Sequence, residues 1–429
     1  MALPDVVEIV PPALTAPVRV TIPGSKSITN RALILAALAD GRTALHGALW
    51  SDDTEIMVEA LRTLGFEVVV EPDPVEAGNC TITITGLGGE IPRSGTPSKP
   101  LEIFVGNAGT AARFLTAMLC LGNGSYRVDG TNRMHERPQA ALFESLGQLG
   151  YRIRAEGGHL PALLSGETAS MSRACTVSIE ESSQFASALL LSARHGGWQV
   201  TVTGEDAEEA AYVAMTSKLI EVFPQHGGEY WIEPDASSAS YFLAAAALLP
   251  ATSLQVHNWP ESDWQIDARF VEFLRRFTSD AEYEDVSRQR DLGDAIMTAI
   301  VVAPLLSRPS RFTDLGRLRV QESERVQALR TELTKCGANV TEDGETLIVE
   351  PSELRGAEIE TYGDHRVAMC FATLGLRVPG MRIREPNCVA KTFPNFFAKL
   401  SEAPPNGLGA KVLDAETGRE LLGDALLAE

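Results

Sequence analysis

Six times along this chain a short polar loop opens a helix rich in alanine and leucine. The six stretches are PGSKSITNRALILAALADG, VGNAGTAARFLTAMLCLG, EESSQFASALLLSARHGG, EPDASSASYFLAAAALLP, DLGDAIMTAIVVAPLL and TYGDHRVAMCFATLGL. Their anchors, Ser25, Asn107, Ser182, Asp235, Asp294 and Asp364, are spaced by 82, 75, 53, 59 and 70 residues. Repeats that long exclude a tight solenoid and leave room for a βαβ element with an extra helix and strand. The helices after the loops are apolar nearly all round, with small residues such as Ala36, Ala37 and Ala244–Ala246. Helices of that kind belong inside a core. A second set is amphipathic. In SDDTEIMVEALRTLGF, Ser51 or Asp52 can cap, Ile56, Ala60, Leu61 and Leu64 recur at helical spacing, and Gly65 stands where a helix stops. RVQALRTELTKCGANV repeats the layout with Val326, Leu329, Leu333 and Gly337. Strands are expected at FEVVVE, CTITIT, LEIFV, CTVSI, WQVTVT and TLIVEP. Three repeats and three predict an α/β protein of two similar globular domains, with buried helices inside and solvent-facing helices outside. Repeat counting puts a boundary near Glu233-Pro234. The tail from Ser401 lies outside the repeat and reads as an accessory segment with room for a terminal helix.

The rest of the composition narrows the function. The net charge of −20 repels nucleic acid and anionic membranes, so an anionic substrate needs a local cluster of cations. No stretch is long and apolar enough to span a membrane, and the N-terminus does not read as a signal peptide. The six cysteines are scattered without a C-x-x-C pair, which argues against a zinc site or disulfide framework and fits a reducing cytoplasm.

Each polar loop can be read as helix capping alone. The loops also carry Lys26, Arg31, Arg113 and Arg366 at helix starts, where free N–H groups and the helix dipole already favour an anion. Together these make phosphate or carboxylate sites. PGSKS lacks the spacing of a nucleotide-binding P-loop. Gly106 and Gly109 allow close backbone approach, and Arg137 precedes Pro138, a good first helical residue. Glu322 and Arg325 are three apart, as on one helical face, and Lys391 stands among apolar neighbours.

PGSKSxxNRA, GNAGTAxR, RMxERP, SSQF, DASSASYFLAAAA, GDAxMT, RVxESxR, TYxDHRxAM and KTFPxF occur in that order between about residues 8 and 400. This set closely resembles the 5-enolpyruvylshikimate-3-phosphate synthase (3-phosphoshikimate 1-carboxyvinyltransferase) family. The resemblance implies two domains, each of three βαβαββ units, in the enolpyruvate transferase inside-out barrel. The expected division is 1–24 with 234–400, then 25–233, with 401–429 as a C-terminal extension. It further implies transfer of the enolpyruvyl group of phosphoenolpyruvate to the 5-hydroxyl of shikimate 3-phosphate, releasing phosphate. Lys26, Gly109, Arg137, Gln184, Arg325, Arg366 and Lys391 would hold phosphoenolpyruvate. Ser27, Arg31, Ser182, Ser183, Gln184, Tyr212, Asp294 and Gln321 would hold shikimate 3-phosphate. Asp294 is placed as base and Glu322 as the acid for the methylene, with Lys26, His365 and Lys391 as further participants. No metal and no cofactor is implied. The expected enzyme is a cytoplasmic monomer that binds these two small molecules and neither nucleic acid nor membrane.

The chain departs from the family pattern in places. Gln321 and Arg317 stand where Lys and Asn are frequent, Glu209-Ala210-Ala211-Tyr212 replaces Ser-x-Pro-Tyr, and Phe114 stands where Pro is frequent. The first three touch the shikimate phosphate side. Rival readings are an enolpyruvyl transferase with a different cyclic acceptor, one acting on UDP-N-acetylglucosamine, and an inactive binding homologue. The second lacks its loop cysteine here, and the third should have lost Asp294, Glu322 or Lys391.

Overall fold

The computed structural model describes residues 3–13, 16–166, 173–204, 207–249, 253–277 and 285–428, with the side chains of 207–210 outside that description. The Glu209 departure therefore falls outside the described side chains. The chain forms two compact units, Gly24–Glu233 and Met1–Pro23 with Pro234–Glu429.

All six loop-opened helices are present: Lys26–Leu38, Gly109–Leu119, Ser183–Gly196, Ala236–Leu248, Ile296–Val302 and His365–Gly375. The Gly109, Ile296 and His365 helices are buried at every residue. Such burial is possible because side chains from helix and sheet surround each one, and alanine keeps the helices thin. The amphipathic helices Asp52–Thr63 and Arg325–Lys335 end as their sequences predict, with Gly65 and Gly337 at φ +94° and +93°. Ser51 begins the first of these, its N–H donating to Thr54 Oγ1 at 2.9 Å.

The sheets repeat a single plan. Among the described residues each unit holds two four-stranded sheets and one two-stranded sheet. Every four-stranded sheet combines one parallel pair with two antiparallel pairs. In Gly24–Glu233, Leu101–Phe104 runs parallel to Ser125–Asp129, which continues antiparallel through Ala162–Ser165 to Arg152–Ala155. In the other unit Val286–Ser287, Ser310–Thr313, Thr346–Val349 and Val340–Asp343 follow the same order. The parallel pair is what a buried helix requires. Around the Gly109, Ser183, Ile296 and His365 helices the crossover returns the chain in the same direction, so the polar loop opens at the same end of each of these repeats.

Several local expectations need correction. Pro138 is not a first helical residue. Arg137 closes the short helix Asn132–Glu136, and the next helix starts at Ala140 after Gln139. Glu322 is not on the Arg325 helix, which begins three residues later. The tail forms no terminal α-helix. Its Lys411–Asp414 strand pairs antiparallel with Val6–Val10, and Gly423–Leu426 is a single 3-10 turn. Leu408, Val412 and Leu426 are buried in the core of that unit.

Candidate active site

In the unit that contains residues 234–428, three loops bring charge together. The Asp294 carboxylate meets Arg366 Nη2 at 3.0 Å, Arg288 Nη2 at 3.1 Å and Arg325 Nη1 at 3.9 Å. Glu322 meets Arg325 Nη2 at 2.9 Å and Lys391 Nζ at 3.6 Å. Asp364 grips Arg325 with both oxygens, at 2.7 and 3.1 Å from Nε and Nη2. Its Oδ1 also accepts the Arg366 N–H at 3.0 Å, capping the His365 helix. Ser323 Oγ donates to the same carboxylate at 2.9 Å, and Gln321 Oε1 accepts from Arg325 Nη1. His365 opens the helix with Nδ1 3.8 Å from Asp364 Oδ1. The geometry therefore unites Asp294, Gln321, Glu322, Arg325, His365, Arg366 and Lys391.

This cluster is not a surface ion-pair lattice. Arg325 is 1% exposed and Lys391 8% exposed, so neither is an ordinary solvated cation. Burial works against ionisation of Asp294, but Arg366, Arg288 and Arg325 outweigh it and hold the carboxyl well below the usual range. Burial likewise works against the Arg366 charge, and Asp294 with its other anionic neighbours keeps it firmly protonated.

Residues 24–233 hold a second set. Arg137 Nη1 donates to the Asn107 carbonyl at 3.1 Å. Arg113 Nη1 reaches the Gly109 carbonyl at 3.2 Å and Gln184 Oε1 at 3.4 Å, while Nη2 reaches the Pro138 carbonyl at 2.9 Å. One buried guanidinium thus ties three loops. Ser182 caps the Ser183 helix, accepting the Gln184 N–H at 3.2 Å, and Ser183 is buried beside it. Gly109 lies against both arginines: a Cβ there would stand 2.6 Å from Arg137 Nη2 and 2.7 Å from Arg113 Nη1.

The opening loop splits its work. Lys26 Nζ lies 3.2 Å from Asp53. Asn30 is buried and donates to Thr110 Oγ1 at 2.8 Å, joining the Lys26 and Gly109 helices. Arg31 is 1% exposed and donates to Thr216 Oγ1 at 2.8 Å, Ser187 Oγ at 3.1 Å and the Ser27 carbonyl at 3.1 Å. The Phe114 ring packs 5.1 Å from its guanidinium carbon. Arg31 thus belongs to a polar core in which the Tyr212 carbonyl also accepts from Thr216, at 2.8 Å.

Sequence reasoning missed Arg288, Asp53 and Asp267. Asp53 sits in an acidic helix start that capping already explained. Arg288 and Asp267 lie in segments without loop-then-helix character. Only tertiary packing sets Arg288, 2% exposed, against Asp294. Among the described residues no group of three or more His, Cys, Asp or Glu is placed to hold a metal ion.

The fold is that of the enolpyruvyl transferases. EPSP synthase from Acinetobacter baumannii superposes with a TM-score of 0.72 at 23% identity, covering 95% of this chain and 99% of that one. The enolpyruvyl transferase NikO from Streptomyces tendae gives 0.67 at 16% identity, covering 96% and 99%. Curated relatives named 3-phosphoshikimate 1-carboxyvinyltransferase are 36% identical in Nostoc sp., over 91% of this chain and 97% of the relative, and 39% identical in Opitutus terrae, over 94% and 98%. The family model for EPSP synthase (3-phosphoshikimate 1-carboxyvinyltransferase) matches residues 13–400, and the chain belongs to that family.

Proposed function

We propose that the protein transfers the enolpyruvyl group of phosphoenolpyruvate to the 5-hydroxyl of shikimate 3-phosphate and releases phosphate. The reaction lies on the shikimate route to aromatic amino acids. The observation that carries this reading is the buried grouping of Arg325, Arg366 and Lys391 around Asp294 and Glu322. Lys26, Gly109, Arg137, Gln184, Arg325, Arg366 and Lys391 serve phosphoenolpyruvate. Ser27, Arg31, Ser182, Ser183, Gln184, Tyr212, Asp294 and Gln321 serve shikimate 3-phosphate. Arg31 already donates to Thr216, Ser187 and Ser27, which fixes its guanidinium in place.

The charges suggest how the chemistry is gated. Without substrate, Asp294, Glu322 and Asp364 offset most of the charge of Arg288, Arg325, Arg366 and Lys391. An Asp clamped by arginines is a weak base. The carboxylate and phosphate of phosphoenolpyruvate compete for Arg325 and Arg366, and this releases Asp294 to accept the proton of the attacking hydroxyl. Drawn away by substrate, Arg325 and Lys391 leave Glu322 free to take up a solvent proton. The hydroxyl oxygen then bonds to C2 of phosphoenolpyruvate as Glu322 delivers that proton to the methylene carbon. In the tetrahedral adduct the cations stabilise the phosphate and carboxylate. The Glu322 carboxylate then takes back a methyl proton, the double bond re-forms as the C2–O bond to phosphate breaks, and Asp294 gives its proton to the departing phosphate. His365, Lys26 and Lys391, the last of which lies beside Glu322, tune these transfers. The unpaired cysteines favour a cytoplasmic setting.

The test is phosphate release from phosphoenolpyruvate with shikimate 3-phosphate as acceptor. Absence of turnover sinks the reading, and turnover with UDP-N-acetylglucosamine instead would establish the rival transferase.

A further inference from the structure

Asp267 belongs to none of the repeat loops, yet it is 4% exposed and lies against the loop that carries Asp294. Its Oδ1 accepts the N–H of Ala295, the peptide immediately after Asp294, at 2.9 Å. On the other side of Asp294 the chain passes so close that a Cβ on Gly293 would stand 2.7 Å from the same oxygen. The second oxygen, Oδ2, accepts from Ser237 Oγ in the first turn of the Ala236 helix. Gln265, two residues earlier, accepts the Ala236 N–H at 2.9 Å and donates to the Pro234 carbonyl at 2.9 Å. The Gln265–Asp267 segment therefore braces the starts of two buried helices against each other, with the Asp267 carboxylate beneath the Asp294 turn.

We propose that Asp267 is a positioning residue for Asp294, and that its carboxylate form presents the Asp294 side chain to the acceptor hydroxyl. Two charged groups face Asp267: Asp294 from the neighbouring turn and Arg366 from the His365 helix. Ser237 is the facing group on the Ala236 helix, while Asp235 and Tyr241 bear on the same Arg366. Burial, then the Asp294 charge, push the Asp267 carboxyl up to about 6 against the pull of Arg366. Above that pH the carboxylate gives Ala295 N–H a charge-assisted acceptor. Below it the bond weakens, and the turn is held less firmly.

The sign for stability is opposite to that for activity. A folded value raised above the ordinary 3.8 means that Asp267 favours the fold at low pH and loses this contribution as pH rises through about 6. Its carboxylate is therefore kept at a cost in stability. Asn is the informative replacement, because its carbonyl can accept from Ala295 while its amide donates to Ser237.

The experiment compares wild type with Asp267→Asn from pH 5 to 8, with phosphoenolpyruvate and shikimate 3-phosphate as substrates. The ratio of the two kcat/KM values cancels ionisation of the substrates. The expected ratio is about tenfold or more at pH 8, falling toward one with a midpoint near the value of about 6. The Tm of the variant relative to wild type should rise across the same range. A ratio that stays constant with pH marks Asp267 as merely structural and overturns the proposal, as does a ratio of one throughout. Should Asp267→Asn not fold, Ser237→Ala removes one donor to the carboxylate and raises its midpoint. The wild-type to Ser237→Ala ratio then peaks between the two midpoints, and a flat ratio overturns the proposal. The inference rests on Asp294 acting at the acceptor hydroxyl. Near-normal turnover of Asp294→Ala sinks that assignment, whereas strong loss there with a flat Asp267 ratio sinks only the role of Asp267.

Discussion

At the scale of single residues, the candidate site is organised by carboxylates that pair with buried cations, which under the proposed function are taken over by substrate. Asp294 is the clearest case. Its folded value lies below the ordinary 3.8, so its stabilising contribution is present above that pH and is lost as pH falls through the folded value. Asp294→Asn leaves Arg366 and Arg288 without their shared counter-charge. The expected cost near neutral pH is about 3–5 kcal/mol. The difference from wild type should shrink in acid. Added phosphate should raise the Tm of the variant more than that of wild type, as a calorimetric melt will show. Glu322→Gln keeps the shape but removes the proposed proton donor and a counter-charge of Arg325 and Lys391, so turnover should fall about 100-fold or more and the melt should also move down. Gly109→Ala forces a methyl group against Arg137 and Arg113. Steady-state kinetics should show the KM for phosphoenolpyruvate raised on the order of tenfold, with the KM for shikimate 3-phosphate little changed.

Elements carry these residues by a common device, a helix buried on every side whose polar first turn is held by side chains from its neighbours. Asn30 and Thr110 join two such first turns within the same core. Asn30→Ala leaves Thr110 without that donor at a fully buried position, and a loss of about 1–3 kcal/mol in a denaturant titration is expected. The loop before the His365 helix is pinned differently. Glu332, fully buried on the Arg325 helix, accepts from Tyr362 Oη at 2.8 Å and from the Glu360 N–H at 3.1 Å. Tyr362 adopts φ +56°, a conformation that non-glycine residues hold only when their surroundings require it. Asp364 and Arg366 follow directly, so this strain sits at the base of the cation cluster.

At the scale of the whole molecule, the described residues of each unit form two four-stranded sheets and one two-stranded sheet around buried helices. The last residues are part of one of them. Leu408, Val412 and Leu426 are buried, and Lys411–Asp414 extends a sheet through Val6–Val10. Burying such side chains contributes about 1.5–3 kcal/mol each, a large share of a typical 5–15 kcal/mol stability. A chain stopped at Ser401 should therefore lose the cooperative melt of that unit in calorimetry, an outcome that an accessory tail would not produce.

The six polar loops, the apolar helices behind them and the amphipathic helices with their glycine stops are local patterns, and the sequence by itself determined them. It also placed Arg366 among the candidates, because a cation at a helix start already implies an anion, whereas Arg325 and Lys391 entered as ligands through the family motifs. What only the tertiary structure decided is which groups meet. Arg288 and Asp267 lie outside the loop motifs and carry no periodic signal, yet packing sets one against Asp294 and the other beneath its turn. Arg31 and Arg366 both stand at helix starts, but the first is enclosed by Thr216, Ser187 and Phe114 while the second meets Asp294. The physical reason is that capping and burial follow from neighbours along the chain. The partner of a buried charge is set by how the chain folds back on itself, often from tens of residues away as for Arg325 and Asp364, and no local pattern records it.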